Sequence, residues 1–291
     1  MLGVTLLVYI LLTLKIYGFI LGLIYSFLLY LLFFLQIVFF TTCERKILAL
    51  TQRRVGPNIV GDRGRLQFIA DAVKLVLKVY YSPRKINSLF FQGSSIFIFY
   101  ISWFNFININ YNYGEDINEI EYNIFFAIIC SLGFSIAWLI AGWSSSSKYA
   151  LLGCIRASVQ IISYEVLTSS IFLILFLLVG SVNFEIIVDL QSEISIFFIL
   201  PILIVNFFIA TLMETNRPPF DLSEAESDVV AGYIVEYSGI IFGLFYLGEY
   251  VNIFANSFFI LILFSNYIFN FFNFLKKIFF YLYLFFSDIQ F

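Results

Sequence analysis

The chain has no histidine among its 291 residues, and its three cysteines, Cys43, Cys130 and Cys154, lie far apart with no C-x-x-C. Without a histidine or a cysteine cluster there is no ligand set for haem and no iron–sulfur motif. Any electron chemistry must come from a partner, and no metal or flavin is expected on this chain. Charge is scarce too: only 12% of residues are Asp, Glu, Lys or Arg. That leaves no soluble domain once the apolar stretches are set aside. The N-terminus lacks the Arg- and Ser-rich amphipathic pattern of a transit peptide. No internal repeat is visible, and no nucleic-acid partner is expected.

Apolar residues make up 62% of the chain. Seven stretches of bilayer length stand out: Ile16–Phe40, Leu89–Ile109, Ile124–Ala141, Ser158–Val179, Ile194–Leu212, Val230–Leu263 and Tyr267–Phe286. Several are rich in Phe, Ile and Val, but a membrane strand would be about half as long, so length decides for helices. The expected fold is an all-α integral membrane protein, a single polytopic domain over 1–291 bathed in membrane lipid. It has about seven transmembrane helices and one interfacial amphipathic helix. With 39 Phe and 19 Tyr, the composition is what an AT-rich genome encodes, and organelle encoding is the expectation.

Charge sets the orientation. Residues 44–85 carry ten of the sixteen Lys and Arg against three acids, whereas 110–121 and 181–193 carry seven acids and no base. Lys148, Arg156 and Arg217 fall on the basic side. The positive-inside rule puts loops 44–88, 144–157 and 213–229 on the cytoplasmic-equivalent face, the matrix of a mitochondrion. The N-terminus then lies on the opposite face, in the intermembrane space.

From Glu214 to Glu236 the chain holds six acids and one base, Arg217, between two membrane-length apolar segments. Acids so close to hydrocarbon ask for a functional explanation. Pro218-Pro219 cannot continue a helix, and Ser223-x-x-Glu226 has the form of a capping box that restarts one. Offsetting a helix dipole would explain Glu224 and Glu226, but not Glu236, expected inside the sixth helix. Glu165 interrupts the fourth span, and a charged carboxylate at mid-bilayer costs roughly 3 kcal/mol or more. Glu165, Glu214, Glu236 and Glu249 are expected in or at the edges of spans four, five and six, the first three facing one another or a shared polar cavity, with Glu224, Glu226 and Asp228 at the inside entrance. Acids crowded in low dielectric repel one another and lose hydration, which lets such a set hold and pass protons.

The first inside loop opens Glu44-Arg45-Lys46 and continues Gln52-Arg53-Arg54-Val55-Gly56-Pro57-Asn58. A basic cluster at a helix end is ordinarily a snorkelling anchor. Residues 66–81 place Gln67, Asp71, Lys74 and Lys78 on one face at helical spacing, the pattern of an interfacial helix.

Together these motifs resemble the first membrane subunit of proton-pumping NADH:ubiquinone oxidoreductase, respiratory complex I. The resemblance rests on E-T-N-R-P-P-F-D at 214–221, E-R-K with G-P-N at 44–58, Ala70-Asp71-Ala72-Val73-Lys74, and Gly142-Trp143-Ser144-Ser145-Ser146-Ser147-Lys148-Tyr149-Ala150. It covers roughly residues 18–286. It implies a quinone chamber formed with the hydrophilic arm, with Arg45, Arg54, Asp71, Lys74, Arg217, Phe220 and Asp221 as candidate chamber residues. It also implies a proton path through Glu165, Glu214, Glu224, Glu226, Asp228, Glu236 and Glu249. Ubiquinone would be the substrate, and iron–sulfur clusters and FMN would sit in partner subunits. The expected location is the mitochondrial inner membrane. Two rival readings stay open: the related membrane subunit of a hydrogenase complex, and a stand-alone proton-coupled carrier.

Three departures from the family pattern stand out. Ser146 replaces an Asn, Val79 a Glu, and Asp228 a Glu. After Phe286 the family's Arg-rich loop and final helix are missing, so a separate short chain is expected to supply them beside the seventh span.

Overall fold

The computed structural model describes residues 28, 30–81, 83, 86–107, 122–191, 196–217, 220 and 232–264. The seventh expected span, the capping box at Ser223–Glu226, and Asp221, Glu224, Glu226 and Asp228 lie outside the described residues, as does the place expected for a companion chain. Two compact units divide at Lys74 and Leu75.

In the first unit, α1 (30–51) runs well past Phe40, so Glu44-Arg45-Lys46 stands on its last turns rather than in a loop. The expected end at Phe40 is corrected because long basic side chains can ride the final turns of a membrane helix toward its interface. The helix stops when Arg53 turns left-handed, at φ 55°. The Arg54 N–H then reaches back to Ala49 O at 2.9 Å and the Arg53 N–H to Leu50 O at 3.1 Å, the pattern that satisfies a helix's last carbonyls. A 3₁₀ turn, Asp62–Gly64, follows. A Cβ on Gly64 would stand 2.0 Å from Pro57 O, so glycine alone fits there. Helix α2, Gln67–Leu77, is shorter at both ends than the 66–81 expected, and none of its residues is buried.

The second unit is built from α3 (Ser88–Ile107), α4 (Asn123–Ser144), α5 (Lys148–Val179), α6 (Phe184–Leu190), α7 (Ile196–Ile199), α8 (Pro201–Glu214) and α9 (Gly239–Phe264). No strand occurs among the described residues. Helices α3, α4, α5 and α9 are each long and apolar enough to cross a membrane, and the protein is an all-α membrane protein. Helix α3 packs on α4 and α9, α4 on α5, and α5 on α8. Phe91, Ile98, Phe134, Trp138, Ile161, Tyr233, Tyr237 and Phe245 form the core where these helices meet.

Three spans differ from their expected limits. Helix α5 begins at Lys148, not Ser158, because Ser147 caps it, its side chain accepting from the Ala150 N–H. The charges of Lys148 and Arg156 hide that start in a hydropathy reading. The fifth span is broken between Ile199 and Pro201. Pro201 has no N–H to offer and takes the first position of α8. The sixth span begins later than Val230: Gly232–Ile234 forms a 3₁₀ turn and the helix starts at Gly239. That turn lies directly on α5, where a Cβ on Gly153 would stand 2.8 Å from Gly232 Cα.

Backbone cannot yield to a Cβ as a flexible side chain does. Gly153→Ala is therefore expected to destabilise the protein by about 1–3 kcal/mol, read as a lower unfolding temperature in detergent. An unchanged melting temperature would mean that the α5 contact is looser than this.

Candidate functional site

An apolar helix that buries an acid must supply its partners from neighbouring helices, since lipid offers none. Glu165, midway along α5, is buried at 9% relative exposure. The Ser131 hydroxyl on α4 lies 2.9 Å from its Oε1 and 2.8 Å from Ile128 O, so one proton has two acceptors in reach. Glu165 Oε2 is buried with no hydrogen-bond partner.

Glu214 closes α8 on the other side. Its carboxyl feels the charge of Glu165, and Asn252 and Asn256 of α9 stand beside it, although the Asn256 Nδ2 makes no hydrogen bond. Asn252 in turn meets the buried Asn105 of α3, whose Nδ2 donates to Asn252 Oδ1 at 3.3 Å. Five helices, α4, α5, α8, α9 and α3, thus contribute Ser131, Glu165, Glu214, Asn252 and Asn105 in turn to a polar course inside an apolar bundle. Glu249 stands on the same stripe of α9, one turn before Asn252, and accepts a hydrogen bond from Tyr233. Tyr233 is fully buried and packs edge-on against Trp138, ring centres 3.9 Å apart.

The end of α8 is closely determined. Asn216 is left-handed at φ 49°. The Arg217 N–H donates to Leu212 O at 3.2 Å and the Asn216 N–H to Met213 O at 3.3 Å. This helix terminator acts just before the two prolines, where the chain was expected to break. Arg217 then lies over the Tyr250 ring of α9, 4.9 Å from its centre, an attraction between cation and ring face. Phe220 is half-buried and its N–H donates to Arg217 O at 2.8 Å.

Glu236 is not inside a helix. It is half-buried in the turn that precedes α9, because the expected sixth span starts only at Gly239.

In the first unit, Arg45 pairs with Asp71 at 2.6 Å, with side chains 56% and 31% exposed. At that exposure the pair is worth about 0–1 kcal/mol, so it orients groups more than it stabilises the fold. Gln67 Nε2 donates to the other oxygen of Asp71 at 3.2 Å, and Lys46 donates to Arg63 O. Arg54 Nε donates to Gln52 Oε1 at 2.8 Å. Lys74 is exposed. No group of three His, Cys, Asp or Glu residues suited to a metal ion occurs among the described residues.

Reasoning from acids alone passed over Ser131, Asn105, Asn252, Asn256 and Tyr233. A signal for two of these existed: Asn252 and Asn256 recur with Glu249 at helical spacing on one face of an otherwise apolar segment.

Comparison with known proteins adds a family. A family model described as NADH dehydrogenase matches residues 24–289. NADH-ubiquinone oxidoreductase chain 1 of Yarrowia lipolytica is 44% identical over 220 residues, covering 75% of this chain and 64% of that protein. The chain 1 protein of Triticum aestivum is 42% identical over 226 residues, covering 77% and 69%. A NADH-quinone oxidoreductase subunit of Rickettsia prowazekii is 42% identical over 221 residues, covering 75% and 65%. The matched segment therefore spans just under two thirds of the Yarrowia and Rickettsia proteins.

Ser131→Ala would leave both oxygens of Glu165 without a hydrogen-bond donor. We expect it to destabilise the protein by about 1–3 kcal/mol, measured by thermal unfolding in detergent. Wild-type stability would show that the Ser131 proton rests on Ile128 O and contributes nothing to the acid.

Proposed function

The chain belongs to the NADH dehydrogenase family, and from that premise we propose that it is a core membrane subunit of respiratory complex I. In this reading it helps form the quinone chamber and couples quinone reduction to proton translocation in the mitochondrial inner membrane. The observation that carries the proposal is that Glu165 of α5 and Glu214 of α8 lie near enough for their charges to act on each other, with the Ser131 hydroxyl bonded to the first and the Asn252 amide beside the second. A bundle that only anchored a complex would have no use for two interacting acids in its interior.

The chemistry divides between this chain and its partners. Ubiquinone takes up two electrons and two protons to become the quinol. The electrons arrive from iron–sulfur clusters and FMN in the hydrophilic-arm subunits, since this chain has neither histidine nor a cysteine cluster to hold a redox centre. The residues proposed for quinone handling are Arg45, Arg54, Asp71, Lys74, Arg217, Phe220 and Asp221. An apolar tail with a polar head suits a largely apolar site bearing a few polar groups. Proton movement falls to Glu165, Glu214 and Glu249, with Glu224, Glu226, Asp228 and Glu236 leading to them. A carboxyl passes a proton by accepting on one oxygen and releasing from the other. The Ser131 hydroxyl, with two acceptors in reach, is suited to serve such a relay.

The test uses the assembled complex in sealed vesicles. Glu165→Gln and Glu214→Gln keep the shape of the site but remove its titratable groups. Each is expected to lower the rate of proton pumping by about a hundredfold or more, the scale of losing a positioned proton-transfer group. Undiminished pumping in both would defeat the proton-path assignment. Purification of the chain without flavin and iron–sulfur partners would favour the stand-alone carrier.

A further inference from the structure

Gln160 lies on α5 five residues before Glu165, about 7.5 Å along the helix axis. It is buried at 6% relative exposure. Its Nε2 donates to Met213 O at 2.9 Å and to Phe220 O at 2.8 Å. A side-chain amide nitrogen carries two protons, so both are committed to main-chain carbonyls of one other segment. Its Oε1 is buried and unpartnered. The two carbonyl acceptors fix which way the amide faces, because the flipped amide would set oxygen against oxygen.

The two acceptors are not equivalent. Met213 immediately precedes Glu214, so the first bond fixes where α8 presents that acid to α5. Phe220 follows the turn that the Arg217 carbonyl closes, at the point where the chain enters the acidic segment. One side chain therefore grips both ends of the 213–220 connection and stands on the helix that carries Glu165. A displacement of the chain at Phe220 must either break a buried hydrogen bond or be shared with α5 and with the backbone beside Glu214. Buried amides bonded to main-chain carbonyls hold many helix pairs together with no functional consequence. Here both bonds converge on the short connection that begins beside Glu214, and this sets the case apart.

We propose that Gln160 is a positioning residue: it sets the separation of Glu165 and Glu214 and links that separation to the position of the chain at Phe220. The inference rests on the proton-path reading for its functional consequence, but not for its structural content. Gln160 itself neither binds quinone nor carries a proton.

The test is made in the assembled complex with Gln160→Leu and, as a second variant of closely matched length, Gln160→Met. Both remove the donors to Met213 O and Phe220 O while keeping the space filled. The first readout is the infrared band of the protonated carboxyls, assigned by its change in Glu165→Gln and Glu214→Gln. The second is protons moved per NADH oxidised. We expect the carboxyl band to shift in either Gln160 variant and pumping to fall roughly tenfold, within the range for residues that couple two sites. Gln160→Asn, which keeps an amide of shorter reach, should recover part of both. An assembled Met variant with an unshifted band would overturn the proposal. Failure of both variants to assemble would also overturn it, by making the amide a folding element only. If Glu165→Gln and Glu214→Gln pump normally while Gln160→Met still shifts the band, the positioning role stands and the proton-path reading falls.

Discussion

An acid inside an apolar bundle has to find its hydrogen-bond partners within the bundle, and most of what is distinctive in this structure follows from that constraint. Glu165 cannot be solvated by lipid, so α4 approaches with Ser131. Helix α8 brings Glu214 near enough for the two charges to act on each other, but gives Glu165 no hydrogen bond. Glu214 in turn requires α9 to present amides rather than Phe or Ile, and Asn252 carries the polar course on to Asn105 of α3. Each of these hydrogen-bond partners is short and neutral, so none cancels a carboxylate by forming an ion pair. An Arg or Lys in the same place would lock one carboxylate in its charged form and end its use as a proton carrier. Neutral amides and a hydroxyl leave both protonation states available.

The helices are shaped to allow this. Glycine at 153 lets the 3₁₀ turn at Gly232–Ile234 lie against α5 with no side chain between. That contact places the Tyr233 hydroxyl where Glu249 can accept from it. Four residues on, Tyr237 stacks on Phe91 with ring centres 4.1 Å apart and donates to Ala141 O at 3.1 Å. Core packing and site geometry are therefore set by the same turn. The chain leaves regular helix before Glu236 and resumes it only at Gly239. Irregular backbone in a membrane protein is tolerated where protein rather than lipid surrounds it, and Gly232, Tyr233 and Ile234 are all buried.

The helical class and most spans were legible because hydropathy reports length, and α3 and α4 fall within a few residues of the stretches read from composition. Hydropathy does not report backbone continuity. Pro201 is one residue in an apolar run, yet it splits the fifth span. Gly232 and Gly239, both at positive φ, delay the sixth without lowering its hydrophobicity. Glu165 and Glu214 stood out as candidates because charge in such a segment is conspicuous. Their neutral partners did not, since Ser131, Asn105 and Gln160 resemble any other uncharged residue until tertiary packing brings them beside an acid or a carbonyl. Glu236 shows the converse error: its charge was noticed, but its place inside a helix was inferred from a hydrophobic run that the backbone does not follow.

On this reading the α5 and α8 carboxylates share one protein interior instead of being two isolated acids at a lipid boundary. An experimental density map of the assembled complex, at a resolution that shows carboxylate rotamers, tests this most directly. The Glu165 and Glu214 side chains should be turned toward each other between α5 and α8, with Ser131 bonded to the first and Asn252 within hydrogen-bond reach of the second. Either carboxylate directed into acyl chains, with no polar neighbour, would contradict it.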